Sequence, residues 1–248
     1  MHRQELENYT QQLLETGRFK DYCPNGLQVE GRAEICRIVT GVTANMALLE
    51  AAVAAGADAV LVHHGFFWKN EDSRVIGIKQ RRLKYLLQRD LNLFAWHLPL
   101  DAHPTLGNNA QLAQKLGISI EGWFGEQNLG CIGALPHPMP MQQFTTLINT
   151  QLDRTPLLVG AAEQTVSRVA WCSGGAQGYF SEVCNLGVDA YLTGEISEAV
   201  VHTARESGVA FIAAGHHATE RYGIQALGAH LATQFGLSHQ HIDIDSPA

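Results

Sequence analysis

The feature that most constrains the fold of this chain is an internal repeat. When residues 37–61 are laid on residues 168–192 without a gap, Arg37 meets Arg168 and GADAVL is echoed by GVDAYL, a shift of 131 positions. Further along, a shift of 119 positions lays LAQKLGIS (112–119) on LATQFGLS (231–238). The ordinary pattern of β-α-β units, in which glycine ends a helix before an apolar strand, accounts for part of this likeness. We nevertheless favour a duplicated unit.

Each copy has the same predicted order of elements. An apolar strand is followed by an amphipathic helix, a second buried strand, a second helix, a third apolar run and a last helix. This order predicts an α/β fold of two pseudo-repeated lobes, with helices flanking largely parallel sheets. We place the lobes at 1–125 and 126–248. Residues 123–165 break the pattern, because 129–140 is rich in glycine and proline and 144–152 reads as a short helix.

Composition narrows the class of protein. The 248 residues are 46% hydrophobic, enough for a substantial core, and the net charge of -7 argues against a protein whose main partner is nucleic acid. The N-terminal helix has no apolar signal core, and no run approaches the ~18 apolar residues of a membrane span. Five scattered cysteines without a C-x-x-C pair fit reduced thiols. We therefore expect a cytoplasmic protein whose metal ligands, if any, are histidines and carboxylates.

Three polar clusters follow apolar runs: His63-His64, the segment 96–103 and the segment 215–220. Ligands of α/β sheets gather beyond the carboxyl ends of the strands, where all three clusters are expected. His63 and His64 would leave a regular strand on opposite faces, so they could serve different ions. The alternative is structural: one histidine hydrogen bonds to backbone and the other is exposed to solvent.

Two histidines each precede a carboxylate by four residues. On a helix this spacing places His216 and Glu220 on one face, where a single ion could contact both. His97 and Asp101 repeat the spacing, but Pro99 disfavours a regular helix before it. The structural alternative for Asp101 is that it caps the next helix.

If the two halves face each other, they pool five candidate ligands: His63, His64, Asp101, His216 and Glu220. Imidazole with carboxylate suits Zn, Mn or Fe better than Ca. With Glu220 bridging, the set suffices for two ions ~3.5–4 Å apart, a pair that activates water for hydrolysis.

Two further segments have open interpretations. The glycine-rich segment 173–178 fits either an anion cradle of backbone amides or an ordinary turn into a helix. The aromatic segment 66–68 follows the histidine pair and fits either stacking of a base at the site mouth or packing between subunits.

Four segments together resemble the Nif-three-like proteins, which are named GTP cyclohydrolase 1 type 2 homologues: PNGLQVEG (24–31), GADAVLVHHGFFWK (56–69), WHLPLDAHPTLGNNAQLA (96–113) and GHHATERYGIQAL (215–227). The resemblance covers nearly the whole chain, in order. It implies a two-lobed α/β fold, a dinuclear metal centre between the lobes and a toroidal homohexamer. By motif, its ligands fall on the five residues pooled above. Longer members carry an insert between the halves that this chain lacks, so no role of that insert is carried over.

The function expected from these observations is that of a metal-dependent hydrolase of a nucleotide or related small phosphorylated compound. Glu220 would bridge the two ions, with His63 and His216 on one ion and His64 and Asp101 on the other. His97 would either support a metal ligand from behind or transfer a proton, and His97 and Glu220 are the expected catalytic residues. A family name does not establish GTP as the substrate. The competing hypothesis is a non-catalytic metal-binding ring that mediates protein or nucleic-acid contacts.

Overall fold

The computed structural model describes residues 1–248, and strands alternate with helices along most of the chain. The strands are β1 (Gly26–Val29), β2 (Arg37–Thr43), β3 (Ala59–His64), β4 (Asn92–Ala95), β5 (Ser119–Phe124), β6 (Gly130–Pro140), β7 (Leu157–Val159), β8 (Thr165–Trp171), β9 (Ala190–Thr193), β10 (Ala210–Ala213) and β11 (Ser238–His241). The α-helices are α1 (Arg3–Leu13), α2 (Met46–Ala54), α3 (Gly77–Leu87), α4 (Leu98–Ala102), α5 (Asn108–Leu116), α6 (Met141–Leu152), α7 (Phe180–Val183), α8 (Glu198–Ser207) and α9 (His216–Phe235). None of these helices combines the length and apolar character that crossing a membrane requires.

The chain divides into two compact units. Unit 1 comprises residues 1–107 and 223–245, and unit 2 comprises residues 108–222 and 246–248. Unit 1 contains a sheet of order β1-β4-β3-β2-β11, and unit 2 contains a sheet of order β5-β6-β8-β9-β10-β7. Residue 125, where the repeat places its boundary, lies inside unit 2.

The mixed α/β class expected from the sequence is confirmed. In unit 1 only the β1–β4 pair is antiparallel. In unit 2 the β8–β9 and β9–β10 pairs are parallel, and the other three pairs are antiparallel. Parallel strands therefore form the centre of each sheet. In unit 1 an antiparallel strand, β1, is added at one edge only, and in unit 2 antiparallel strands flank β8, β9 and β10 on both sides.

The internal repeat reappears as a repeated strand register. Ile38 of β2 pairs with Ala59 of β3, and Val169 of β8 pairs with Ala190 of β9. Both residues of the second pair lie 131 positions after those of the first, which is the shift found in the sequence. The two copies thus build the same parallel pair.

An aspartate fixes each of these parallel pairs. The Asp58 carboxylate accepts hydrogen bonds from the backbone amides of Cys36 and Arg37, at 2.9 and 2.8 Å. The Asp189 carboxylate does the same for the amides of Ser167 and Arg168, at 2.8 and 2.9 Å. Each carboxylate satisfies two amides of the neighbouring chain segment just before the first residue pair of the parallel ladder.

Alternating side chains of the central strands pack into different cores. Val60 and Val62 belong to one hydrophobic cluster of unit 1, whereas Ala59 and Leu61 belong to another. Because successive side chains leave a strand on opposite faces, this alternation shows that β3 is covered on both sides. A strand buried in this way reads as a continuous apolar run, which is what the sequence contains.

Residues 129–140 differ from the sequence expectation. They do not form an irregular connection: most of them form β6, which pairs with both β5 and β8. A side chain at Gly133 would approach the Ser119 carbonyl oxygen to 2.3 Å, so glycine permits the close approach of β5. Pro136 and Pro138 lie within a register shift between Ala134 and Met139, where the ladder with β8 is interrupted. Glycine and proline therefore mark a bulged strand here.

We expect loss of the Asp189 carboxylate to destabilise the protein. Asp189→Ala leaves two backbone amides of β8 without their acceptor and should lower the free energy of unfolding by about 1–3 kcal/mol. Asp189→Asn keeps an acceptor oxygen and should lose less. Urea unfolding measures the effect, with Glu163→Ala, an exposed carboxylate in unit 2, as the control. Equal stability of Asp189→Ala and the control would contradict this role.

Candidate metal-binding clusters

Unit 1 gathers four of the predicted residues into one group, called here the first cluster: His63, His64, His97 and Asp101. His63 and His64 are the last two residues of β3, and His97 and Asp101 follow the end of the adjacent parallel strand β4. The ring centroids of His63 and His64 are 4.6 Å apart, and those of His63 and His97 are 5.2 Å apart. Ligand atoms of these three imidazoles lie within 4.8 Å of one another, a spacing that could hold a metal ion.

His63 has the protonation pattern of a metal ligand. Its side chain is buried, and its Nδ1 lies 2.8 Å from the Trp96 carbonyl oxygen. Since a carbonyl only accepts, Nδ1 carries the proton and the lone pair of the neutral ring is on Nε2. Nε2 lies 3.5 Å from Asp101 Oδ1. In a buried site, an imidazole lone pair and a carboxylate repel each other unless a cation lies near both. The two residues therefore fit a metal ion.

The other two imidazoles of the first cluster are also held at Nδ1. His64 Nδ1 lies 3.1 Å from the Thr43 hydroxyl. His97 Nδ1 lies 2.7 Å from Asp21 Oδ1. Holding one ring nitrogen fixes the orientation of the other, as is usual for histidines that bind metals.

Asp101 lies within a helical turn. Its amide donates to the His97 carbonyl at 3.2 Å, and α4 begins with Leu98 and Pro99. Proline is tolerated here because the first turn of a helix leaves its amides unbonded. Asp101 therefore does not cap the following helix, and its carboxylate faces His63.

The segment 21–28, a loop that leads into β1, holds the first cluster in place. Asn25 accepts a hydrogen bond from the His97 amide at 2.8 Å, and Asp21 accepts one from the Leu98 amide at 3.0 Å. Gln28 accepts one from the Phe66 amide at 2.6 Å. These three polar residues were not predicted as part of the site. In the sequence these residues appear only as polar side chains around a turn motif, far along the chain from the predicted ligands.

Asp21 is ionised more readily than an ordinary aspartate. Burial raises its pKa. The hydrogen bond and positive charge of His97 lower it, as do hydrogen bonds from Asn25 and the Tyr22 backbone. These effects outweigh burial, so the pKa of Asp21 is lowered. A negative charge is thus kept beside the His97 ring.

Unit 2 brings together His216 and Glu220, called here the second cluster. Both lie in the first part of α9, and His216 Nε2 is 3.1 Å from Glu220 Oε2, as the four-residue spacing predicts. His216 Nδ1 lies 2.7 Å from Glu195 Oε1. Glu195, which follows β9, was not predicted as part of the site. The feature of the sequence that could have indicated Glu195 was its position just after a buried strand.

The glycine-rich segment 173–178 has a structural use for its backbone amides. The Ser173 amide donates to Asn109, the Gly174 amide to Thr219 and the Ala176 amide to Thr193. A side chain at Gly174 would lie 2.0 Å from Glu220 Oε1, so this glycine admits the carboxylate. Amides already bonded to side chains, beside a carboxylate, favour the turn interpretation over the anion cradle.

His216 is strongly biased towards its charged form in the metal-free protein. Burial lowers its pKa, but the hydrogen bond and charge of Glu220, together with those of Glu195, outweigh burial and raise the pKa to about 9. Without a metal ion, a proton on Nε2 bridges His216 and Glu220. The same two atoms could instead hold a cation.

We expect His216 of the metal-free protein to titrate near pH 9, above the ordinary value of 6.5. Because the folded-state pKa is raised, its ion pairs contribute fully to stability below about pH 6.5, and the contribution is lost as the pH rises through 9. NMR of the imidazole signals checks the midpoint. Glu220→Gln should move the midpoint down, and an unchanged midpoint would contradict this assignment.

The predicted residues therefore form one group in each unit. His63, His64, His97 and Asp101 lie together in unit 1, and His216 and Glu220 lie together in unit 2. That the two groups share one dinuclear centre stays a prediction.

Comparison with known proteins gives a consistent family assignment. The profile of the Duf34/NIF3 (NGG1p interacting factor 3) family matches residues 1–247. A Pseudomonas aeruginosa protein called GTP cyclohydrolase 1 type 2 homolog is 57% identical over 238 residues, covering 95% of this chain and 94% of the relative. Both matches span essentially the whole chain.

Two solved structures have the same fold. The structural genomics protein ybgI, of unknown function, superposes with a TM-score of 0.96 at 50% identity, covering 100% of both chains. TTHA1606 from Thermus thermophilus superposes with a TM-score of 0.91 at 33% identity, again covering 100% of both chains.

Proposed function

Because this chain belongs to the Duf34/NIF3 family, we propose that it binds two divalent metal ions per chain and hydrolyses a nucleotide or related small phosphorylated compound. The observation that carries the proposal is the arrangement repeated in both clusters. One imidazole has its Nδ1 engaged by a hydrogen-bond acceptor, and its Nε2 faces a carboxylate. Donors arranged in this way suit a metal ion better than an internal hydrogen bond alone.

The ligands that we propose are the five pooled from the sequence: His63, His64, Asp101, His216 and Glu220. The 3.5 Å between His63 Nε2 and Asp101 Oδ1 favours one ion on this pair, so His63, His64 and Asp101 would hold one ion and His216 and Glu220 the other. This differs from the pairing of His63 with His216 expected from the sequence. Imidazole and carboxylate donors favour Zn, Mn or Fe. When bound, such ions lower the pKa of coordinated water and polarise a substrate oxygen.

His97 is the residue that we propose moves a proton during the reaction. Its Nδ1 is held by the ionised Asp21 at 2.7 Å, which leaves Nε2 to exchange a proton with the substrate. The ring is only half-buried, so a substrate can reach it. Asn25 fixes the His97 backbone and therefore the direction of the ring.

Trp68 and Tyr22 are the residues that we propose bind a planar ring of the substrate. The Trp68 ring lies 5.1 Å from the His97 ring and 5.9 Å from the His64 ring. Tyr22 is 57% exposed, which is unusual for a large aromatic side chain, and its ring lies 6.3 Å from that of His97. Flat aromatic surfaces beside the first cluster favour a nucleobase over a purely aliphatic phosphoester.

The first substrates to test are purine nucleotides. The relatives' name refers to GTP cyclohydrolase, and hydrolytic opening of a purine ring agrees with a water-activating centre beside aromatic side chains. We also propose a toroidal homohexamer in the cytoplasm, which size-exclusion chromatography with light scattering and cell fractionation test.

We expect metal analysis of protein purified without added ions to give two ions per chain. In metal-stripped protein, nucleotide turnover should return when Mn, Fe or Zn is restored. His216→Ala and Glu220→Ala should each lower the metal content and abolish turnover, because each removes a proposed ligand. His202→Ala, an exposed histidine on α8, is the matched control and should behave as the wild type.

The outcomes separate the hypotheses. Fewer than two ions per chain would contradict the dinuclear centre. Two ions without turnover across nucleotides and phosphoesters would favour the non-catalytic metal-binding ring.

We expect Trp68→Ala to weaken the binding of purine nucleotides about fivefold or more, because stacking of a base on an aromatic ring contributes about 1–3 kcal/mol. Calorimetric titration measures the affinity. The control is Trp123→Ala, which removes an exposed tryptophan of β5 in unit 2. Equal affinity of the two variants would contradict a stacking role for Trp68.

A further inference from the structure

We propose that Glu195 is the positioning residue of the second cluster: it holds His216 in the tautomer and orientation that bind a metal ion. The inference rests on the proposed metal-binding function and extends it to a residue outside the five ligands. Glu195 Oε1 lies 2.7 Å from His216 Nδ1, a short distance typical of a charge-assisted hydrogen bond.

The internal repeat gives an independent reason for a functional residue at this position. The 131-residue shift that aligns β3 with β9 lays His63 on Gly194 and His64 on Glu195. The first copy therefore ends its strand with two imidazoles, and the second copy ends it with a glycine and a carboxylate.

Packing explains the glycine of this pair. A side chain at Gly194 would approach the His216 Cα and the Gly174 carbonyl oxygen to 2.6 Å each. The first turn of α9 thus lies directly against the end of β9, where no side chain fits. The imidazole of unit 2 comes from α9 instead, and the neighbouring strand-end residue, Glu195, contacts that imidazole.

Glu195 is itself held by the glycine-rich segment. Gln177 Nε2 donates to Glu195 Oε2 at 3.2 Å, which leaves Oε1 directed at His216. Glu195 therefore has one oxygen for its support and one for the imidazole. This contact also gives the segment 173–178 a role in the site that does not require an anion.

The charge of Glu195 distinguishes His216 from His63. The Nδ1 proton of His63 is accepted by a neutral backbone carbonyl, that of Trp96, whereas that of His216 is accepted by a carboxylate. A carboxylate on the far nitrogen increases the basicity of the metal-binding nitrogen and restricts rotation of the ring. The metal-binding nitrogen of His216 is thus the more basic of the two.

The test is Zn²⁺ affinity of metal-stripped full-length protein, measured at fixed pH by competition with a chromophoric chelator. Glu195→Ala should weaken Zn²⁺ binding about 10–100-fold, because loss of such a partner typically costs that much. Glu195→Gln should weaken it less, because the amide oxygen still accepts from Nδ1 while the charge is lost. Glu198→Gln, an exposed carboxylate at the start of α8, should match the wild type.

A second measurement separates positioning from general loss of structure. In the Zn-loaded protein, the NMR signal of the His216 Nδ1 proton should persist in Glu195→Gln and be lost to exchange in Glu195→Ala. The role of Glu195 would be overturned if both variants bound Zn²⁺ as tightly as the wild type while His216→Ala bound it more weakly. The proposed metal centre would then remain intact. Absence of Zn²⁺ binding in the wild type would overturn the proposed function and this inference together. If Glu195→Ala does not fold, wild-type affinity in Glu195→Gln overturns the inference.

Discussion

A carboxylate at the start of each central parallel pair fixes the register on which the rest of the site depends. Asp58 and Asp189 each accept two backbone amides from the neighbouring strand. Because side chains alternate along a strand, a slip of one residue would exchange the faces on which strand-end residues emerge. The position of His63 in the buried interior, and of His64 at a half-buried edge, follows from this register.

Once the strand ends are fixed, hydrogen bonds to Nδ1 decide what the imidazoles can do. An imidazole whose Nδ1 proton is held by an acceptor presents Nε2 to its surroundings. The acceptor is a backbone carbonyl for His63 and a carboxylate for His97 and His216. We attribute metal binding to His63 and His216 because their Nε2 atoms face carboxylates, at 3.5 and 3.1 Å. We attribute proton transfer to His97, whose Nδ1 is held by Asp21.

The two copies of the repeated unit have different surroundings in the fold. The parallel pair and its aspartate are retained in both copies, since they determine whether the sheet forms. The strand-end residues differ, because α9 packs against Gly194 in unit 2 and excludes a side chain there. The two copies therefore share the same framework and differ in the residues at the strand ends. One copy has a pair of imidazoles there, and the other has a supporting carboxylate.

The sequence by itself determined the α/β class, the strand ends that bear polar residues and the four-residue spacing of His216 and Glu220, since these follow from local periodicity and helix geometry. It did not reveal β6, because glycine and proline in a bulged strand look like a loop. Only the tertiary structure decided the partners of the imidazoles. Asp21 and Glu195 are distant in sequence from the rings they hold, and the Trp96 carbonyl belongs to the backbone, which carries no side-chain signal.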